Sequence, residues 1–398
     1  KAGGTVGCNK LQSVDFTTAL LLSRELERTV VPARIENAYQ LDAHNLAFGL
    51  RTLEGNMWLH VCWHPKGARC HVGATPPKEK EQKAYTFSQT LRSLVRGLNI
   101  VGVGLARPLE RVVRLDFAPR LDVPTTFRLY VEIMASRSNV VLVAVDSVGR
   151  ETIAACAYQV SPSKSVRPLS TGQTYELPPP MAARRPSLEE SFEDFVEGVG
   201  RVPTQPLKKS LVSVYQGTSP VLVGVIASRV PGLTPATKVG DMSPEQWHAL
   251  YSGPWRRWLA VVGDGGSPPP QASNGIPDAH DRVYARVDSA SRLVSMTPWI
   301  AEDGASYYPT TLGEEAAAAV ADVGAGSGAA ADGSSAAVAA VAATDGMMEM
   351  YYRGAQSNDE FDGLKRRCLT RVTATLTKLR ERADEFEGQL AAAQEDKV

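Results

Sequence analysis

Only a few residues of this chain invite a chemical reading, and they are scattered. Glu110-Arg111 sets a carboxylate beside a guanidinium between two apolar runs. Arginine presents a planar fork that binds a phosphate or a base edge through two hydrogen bonds; taken alone, the pair reads as a solvated turn. Asp15 stands before an apolar run, where a carboxylate caps a helix. Arg137-Ser138-Asn139 precedes another apolar run. Serine and asparagine close turns in such places, and the block also has the types that hold phosphate. Arg69, between strands, is a similar case. Gly217-Thr218-Ser219-Pro220 marks a helix start, either a plain turn or a place where backbone amides hold a phosphate. Lys365, Arg366, Arg367 and Arg371 cluster on one late helix. Such a cluster is a solvated face or a contact to nucleic acid driven by counterion release. Cys62, His64, Cys70 and His71 are metal-ligand types. His60, Cys62 and His64 share one strand face, but Cys70 and His71 point to opposite faces, so four ligands do not converge on zinc. No metal is expected. Nucleophile elbow, Walker loop and Gly-x-Gly-x-x-Gly after a strand are all missing, so neither a catalytic residue nor a cofactor is expected.

The 398 residues suffice for two or three domains with their own cores. Lysine plus arginine and aspartate plus glutamate number 43 each, so any nucleic-acid contact must come from local patches rather than from a bulk field. Five widely spaced cysteines make no disulfide framework and favour a reducing compartment. No apolar run approaches the ~20 residues that span a bilayer, so no membrane partner is expected. The first ten residues lack the apolar core of a secretory signal. The chain begins at Lys1, which points to an upstream segment, such as a transit peptide, removed or left out.

The elements that must position these residues follow from periodicity. Residues 14–27 read as a helix with Phe16, Ala19, Leu20 and Leu22 on its apolar face. Short alternating runs from 30 to 73 read as strands, with Gly-Asn and Pro-Lys-Gly as turns. A lysine-rich loop follows, then a helix over 87–98 with Thr86 as cap, then strands at 100–105, 112–117, 126–134 and 140–145. Together they predict an α+β lobe ending near Val160. Residues 161–205 form a proline-rich connector with one acidic helix over 187–197. Residues 207–262 are helical in short pieces, and 283–296 read as a strand pair. The alanine, glycine and serine tract at 315–344 has too little large apolar surface to offset its ordering entropy. From Glu360 onward, Val372, Leu376, Leu379, Ala383, Phe386 and Leu390 alternate spacings of four and three, a coiled-coil seam. The expected domains are thus 11–205, 206–312, a low-complexity insertion at 313–346, and a first arm helix at 347–398.

Six blocks, in this order, carry a family resemblance: VDFTTALLLSREL, RIENAYQLDAHNLAFGLRT, LHVCWHPKGARCHVG, FSQTLRSLVRGLNI, LERVVRLDF and LYVEIMASRSNVVLVAVD. Together they resemble the N-terminal domain of the NFACT family. SVRPLSTGQTYELPPP looks like the segment that closes that lobe, YQGTSPVLVGVIASRVPGL is similar to its helix-hairpin-helix, and MMEMYYRGAQ looks like the start of its coiled-coil arm. WHP…ARCHVGA and TFSQTLRSL look closest to cyanobacterial and plastid members. The chain departs from the pattern in its alanine-rich insertion and in lacking the returning arm helix and the NFACT-R domain.

The resemblance implies a glycosylase-like N-terminal lobe and a ribosome-associated quality control factor. Such a factor binds the large ribosomal subunit carrying nascent peptidyl-tRNA and recruits tRNA, alanyl-tRNA in bacteria, for C-terminal tailing without mRNA. It supplies positioning, and the ribosome makes the peptide bond. By resemblance, Glu110 and Arg111 stand where the family's Asp-Arg pair contacts the tRNA anticodon arm, with glutamate in place of aspartate. Asp15 lies near the same tRNA surface, and Arg137, Ser138, Asn139 and Arg69 are further candidates. Gly217, Thr218 and Ser219 would form a phosphate-binding hairpin, and Lys365, Arg366, Arg367 and Arg371 a ribosome-binding base of the arm. The motifs suggest the chloroplast stroma, with the cytoplasm as alternative. Two other classes compete. A fibronectin-binding adhesin, the family's older label, would favour an even cysteine framework or an export signal. A DNA-glycosylase-like protein would need an N-terminal proline and an adjacent glutamate, whereas this chain opens Lys-Ala-Gly-Gly.

Overall fold

A computed structural model of the chain describes residues 13–262 except 74, 77–84 and 164, together with strands at 284–287, 293–297 and 307–309 and separate helical positions between 348 and 388. The chain divides into two compact units, Gln12–Tyr351 and one that holds Tyr352–Val398.

Helix α1 (Phe16–Val30) starts later than its apolar pattern, because Asp15 is extended and its Oδ1 accepts from the Thr18 N–H at 2.9 Å. Every residue from Phe16 to Ser23 is buried. An ordinary surface helix hides one stripe; this one is covered on both sides. One face packs on strands, and the other meets the helical part of the unit, where Trp258 Nε1 donates to Thr17 Oγ1 at 2.9 Å and Arg24 donates to the Val261 carbonyl at 3.1 Å.

Strands β1 (Ala33–Gln40), β2 (Asn45–Arg51), β3 (Asn56–Cys62) and β4 (Arg69–Gly73) precede helix α2 (Thr86–Val95). Then come β5 (Asn99–Leu105), β6 (Val112–Ala118), β7 (Phe127–Glu132), β8 (Asn139–Val145) and β9 (Glu151–Cys156). All nine form one antiparallel sheet in the order β4-β3-β2-β1-β5-β6-β7-β8-β9. Helix α1 packs on β4, β5 and β6, and α2 on β1 and β9, so the sheet curls around both helices. Two local expectations are corrected. Thr86 is the first helical residue rather than the cap, and Tyr85 at the cap offers no side-chain bond. The stretch after Val145, given no strand of its own above, makes β9 behind a turn in which Gly149 takes φ 80.

The helical part comprises α3 (Phe192–Gly200), α4 (Leu207–Val214), α5 (Pro220–Ser228), α6 (Pro244–Leu250), a π-helical turn at Tyr251–Trp255 and α7 (Arg256–Val262). Helix α3 begins at 192 instead of 187, because it is the Ser191 hydroxyl that accepts from the Asp194 N–H, at 3.1 Å. Phe195, Tyr215, Trp255 and Trp258 stack edge and face at centroid separations of 4.7–5.2 Å between successive partners Phe195–Trp255, Tyr215–Trp255 and Trp255–Trp258. Phe16, Leu20 and Leu109 lie in that same cluster, so the segments 11–205 and 206–262 share a core. The strand pair anticipated at 283–296 forms as β10 (Tyr284–Val287) and β11 (Leu293–Thr297), with β12 (Tyr307–Pro309) on β10's other edge. The low-complexity tract lies outside the described residues.

In the second unit, residues 367–383 are helical, and Leu369, Val372, Leu376 and Leu379 are about half exposed. The apolar stripe read from the sequence is therefore present on the surface of that helix.

Candidate nucleic-acid interface

Three segments meet at one end of the curled sheet. The first is the β5–β6 loop, residues 106–111. Leu109 sits at φ 64, a left-handed conformation that costs a non-glycine residue about 1 kcal/mol. Its side chain offsets this by burying itself among the helices. The second is the start of α1, and the third is the α4–α5 turn, where Gly217 takes φ 75. A Cβ added at Gly217 would lie 2.8 Å from Phe16 Cδ1 and 3.1 Å from Leu109 Cδ2, so the three segments are in van der Waals contact and only glycine fits between them.

Beside Leu109 stand Glu110 and Arg111. The Glu110 carboxylate accepts from Arg107 Nη2 at 3.4 Å, and the same nitrogen donates to the Pro178 carbonyl at 2.5 Å. Arg107 thus ties the loop to the proline-rich connector. Burial pushes the Glu110 carboxyl above its ordinary range, while Arg107 and Arg111 pull it back. Arg111 is partly exposed, and no hydrogen bond or ion pair holds its side chain among the described residues. Its carbonyl accepts from the Ile133 N–H at 2.9 Å, so the β7–β8 loop starts alongside it. That loop contains the second non-glycine left-handed residue, Ala135 at φ 50, and it exposes Arg137. Two strained loops at one sheet end, each offering an arginine, are the arrangement that binding sites show.

The neighbouring candidates are committed elsewhere. Ser138 is buried; its hydroxyl donates to the Ala135 carbonyl at 2.8 Å and accepts from the Met134 N–H at 2.9 Å. Asn139 is buried and bridges to Tyr158 through both amide atoms at 2.9 Å. These two shape the loop that presents Arg137. Arg69 is buried at the start of β4, where its Nη1 donates to the Gly67 carbonyl at 2.8 Å.

Asp15 is only 4% exposed, and both oxygens are used. While Oδ1 caps α1, Oδ2 accepts from the Ser219 hydroxyl at 2.7 Å. Ser219 itself caps α5 by accepting from the Leu222 N–H at 3.0 Å. Two helix starts thus share one carboxylate, which suits the partial positive charge of each. Thr218 donates to the Tyr215 carbonyl at 2.7 Å, closing the turn. Asp15 is a positioning residue here. We expect Asp15→Ala and Ser219→Ala each to lower stability by about 1–2 kcal/mol, and their double variant to lose clearly less than the sum. A double-mutant cycle by urea denaturation checks this, and strict additivity would show that the pair is not coupled.

One polar network was missed by motif reading. Glu132, 2% exposed at the end of β7, accepts from both Arg167 terminal nitrogens at 2.5 and 3.1 Å and from the Tyr175 hydroxyl at 2.9 Å. Tyr175 stacks on Tyr130 with centroids 4.3 Å apart. Its hydroxyl is pushed far up, by burial and then by the Glu132 charge. Tyr130 donates to Glu151 at 2.8 Å, and Arg128 bridges Glu151 and Asp116 at 2.5 and 2.8 Å. The signal was a glutamate inside the apolar run LYVEIM, with an arginine and a tyrosine in a segment otherwise polar.

The cysteine and histidine residues do not converge. β3 ends at Cys62, so His64 lies beyond the strand face expected for it and packs edge-on against His44 at 5.1 Å. His60 stacks on His71 at 5.5 Å. Among the described residues no three His, Cys, Asp or Glu side chains group to hold a metal ion. Lys365, Arg367 and Arg371 are exposed on the helix of the second unit, and the Arg366 side chain lies outside the described residues.

The fold is an α+β lobe whose curled sheet shares its core with a short-helix bundle. Residues 15–285 match the family model of the NFACT N-terminal and middle domains, and the chain belongs to the NFACT family. It is 29% identical over 203 residues to the Rqc2 homolog RqcH of Bacillus subtilis, covering 50% of this chain. The chain spans about a third (34%) of the length of that curated relative. Among solved structures it is similar to the N-terminal part of the fibronectin/fibrinogen-binding protein of Streptococcus suis, at 18% identity, a TM-score of 0.49 and coverage of 72% of this chain and 90% of that one. It is also similar to the fibrinogen binding protein of Staphylococcus aureus, at 18% identity, a TM-score of 0.47 and coverage of 68% and 85%.

Proposed function

We propose that this protein is a ribosome quality control factor that grips tRNA at the sheet end carrying Arg111 and Arg137, on a large ribosomal subunit that still holds peptidyl-tRNA. Membership of the NFACT family and the likeness to the Rqc2 homolog RqcH support the broad assignment. The observation that carries the finer one is Arg111: a guanidinium with no hydrogen-bonded or ionic partner among the described residues, on a loop pinned by Leu109 in the core and braced by Arg107. Arginine binds phosphate oxygens or a guanine edge with two parallel hydrogen bonds, and a pinned loop loses little entropy on binding. Glu110 is the neighbouring acceptor for base amino groups. Arg69, Ser138 and Asn139 act through loop shape, and the hairpin at Gly217, Thr218 and Ser219 holds the α1 start in place. The basic residues Lys365, Arg366, Arg367 and Arg371 meet ribosomal RNA. The factor recruits alanyl-tRNA and performs no bond-making; its working place is the chloroplast stroma.

Phosphate contacts release condensed counterions, so binding falls steeply as salt rises. The full chain should co-sediment with purified large subunits at low salt and lose them progressively as potassium chloride is raised. Co-sedimentation indifferent to salt would rule out a phosphate-driven contact.

A further inference from the structure

The outer face of β1, β2 and β3 carries a groove that the tRNA reading does not use. It measures about 570 Å³ and is lined by Arg34, Asn37, Tyr39, Trp58 and Arg96 among others. The register sets its floor. Asn37 pairs with Gly49, and Gly49 with Trp58, so one row crosses three strands. Gly49 is the reason the floor is flat: a Cβ there would lie 3.3 Å from Trp58 Cζ3 and Cη2, so the indole lies across the glycine backbone. Tyr39 flanks it, with ring centroids 5.9 Å apart, and its hydroxyl is held by the Asn37 amide at 2.5 Å. The platform is therefore rigid before any ligand arrives.

Arg34 and Arg96 stand at the groove's rim, both exposed. An Arg34 terminal nitrogen lies near Gly97, the residue after Arg96, 3.8 Å from where its Cβ would be. Neither side chain has a hydrogen-bonded or ionic partner among the described residues. The groove's one acidic side chain, Glu36, is 3.9 Å from Arg51, which weighs against it. The groove thus offers aromatic faces below and two uncompensated cations beside them. Every base has a π-face that stacks on such rings, and its phosphates follow the cations.

We propose that this groove binds single-stranded RNA, with a base stacked on Trp58 and Tyr39 and the flanking phosphates on Arg34 and Arg96. This does not depend on the tRNA assignment, because the two surfaces use different residues.

The test is fluorescence anisotropy of the full chain with labelled, unstructured oligouridine at several salt concentrations. Trp58→Ala is expected to weaken binding about tenfold at every salt concentration. The double variant Arg34→Ala, Arg96→Ala is expected to flatten the log–log salt slope by about 1.4, two phosphates at roughly 0.7 each. Trp58→Phe keeps a ring and should recover most of the affinity, which separates stacking from misfolding; circular dichroism confirms the fold. The variant Glu110→Ala, Arg111→Ala should bind oligouridine as wild type does. Failure of the wild type to bind at low salt, or wild-type binding by Trp58→Ala, overturns the proposal. So does loss of oligouridine in the Arg111 variant, which would place the strand at the other surface. Capture of an acidic peptide in place of RNA, with the same dependence on Trp58, would assign the groove to protein instead.

Discussion

Glu132→Gln is expected to destabilise the lobe by about 3–5 kcal/mol, the loss typical when one partner of a buried ion pair is removed. The substitution keeps the side-chain shape, so no cavity term enters. It leaves Arg167, whose side chain is 16% exposed, beside an uncharged amide in a site built for a carboxylate. The Tyr175 hydroxyl loses a charged acceptor as well. Glu132 pairs in register with Val112, and the next backbone bond runs from Ile133 N–H to the Arg111 carbonyl. Loosening this corner should therefore also free the loop that holds Arg111. A lowered urea midpoint together with faster proteolysis in 106–111 is the expected pair of results. An unchanged midpoint would mean that the network contributes nothing net.

Replacing Glu110 and Arg111 together by alanine should weaken tRNA binding by about 10- to 100-fold, the ~1–3 kcal/mol of a bidentate arginine contact. Stability should change little, because Leu109 and Arg107 still fix the loop and Arg111 makes no side-chain bond that folding would lose. Filter binding and thermal melting on the same samples separate the two effects. A variant that binds tRNA as wild type does, with an unchanged melt, removes this loop from the interface.

Much of the local structure was legible. The first helix announced itself by apolar spacing, and Asp15 by its place ahead of it. Strand positions followed from alternation, since burial on one face imposes a period of two. What stayed hidden is tertiary. Nothing near Asp15 reveals that its second oxygen takes a hydrogen bond from Ser219, 204 positions later. Leu109 gives no local warning of a left-handed backbone; only the core that receives its side chain makes that conformation hold. Ser138 and Asn139 had the right types for phosphate, yet burial and backbone partners engage them, and spacing alone cannot report burial. Gly49 reads as an ordinary strand residue until the strand register lays Trp58 across it. The sequence displayed the basic residues equally; the fold distinguishes Arg111, left unpaired on a pinned loop, from Arg69, buried in a strand.

Ultraviolet cross-linking of the full chain to bound tRNA, with the adducts located by mass spectrometry, addresses the interface most directly. Adducts should fall on the peptides spanning 106–114 and 133–138, and should vanish from both when Arg111 is alanine. Adducts confined to other surfaces, with these two loops clean, would contradict the account.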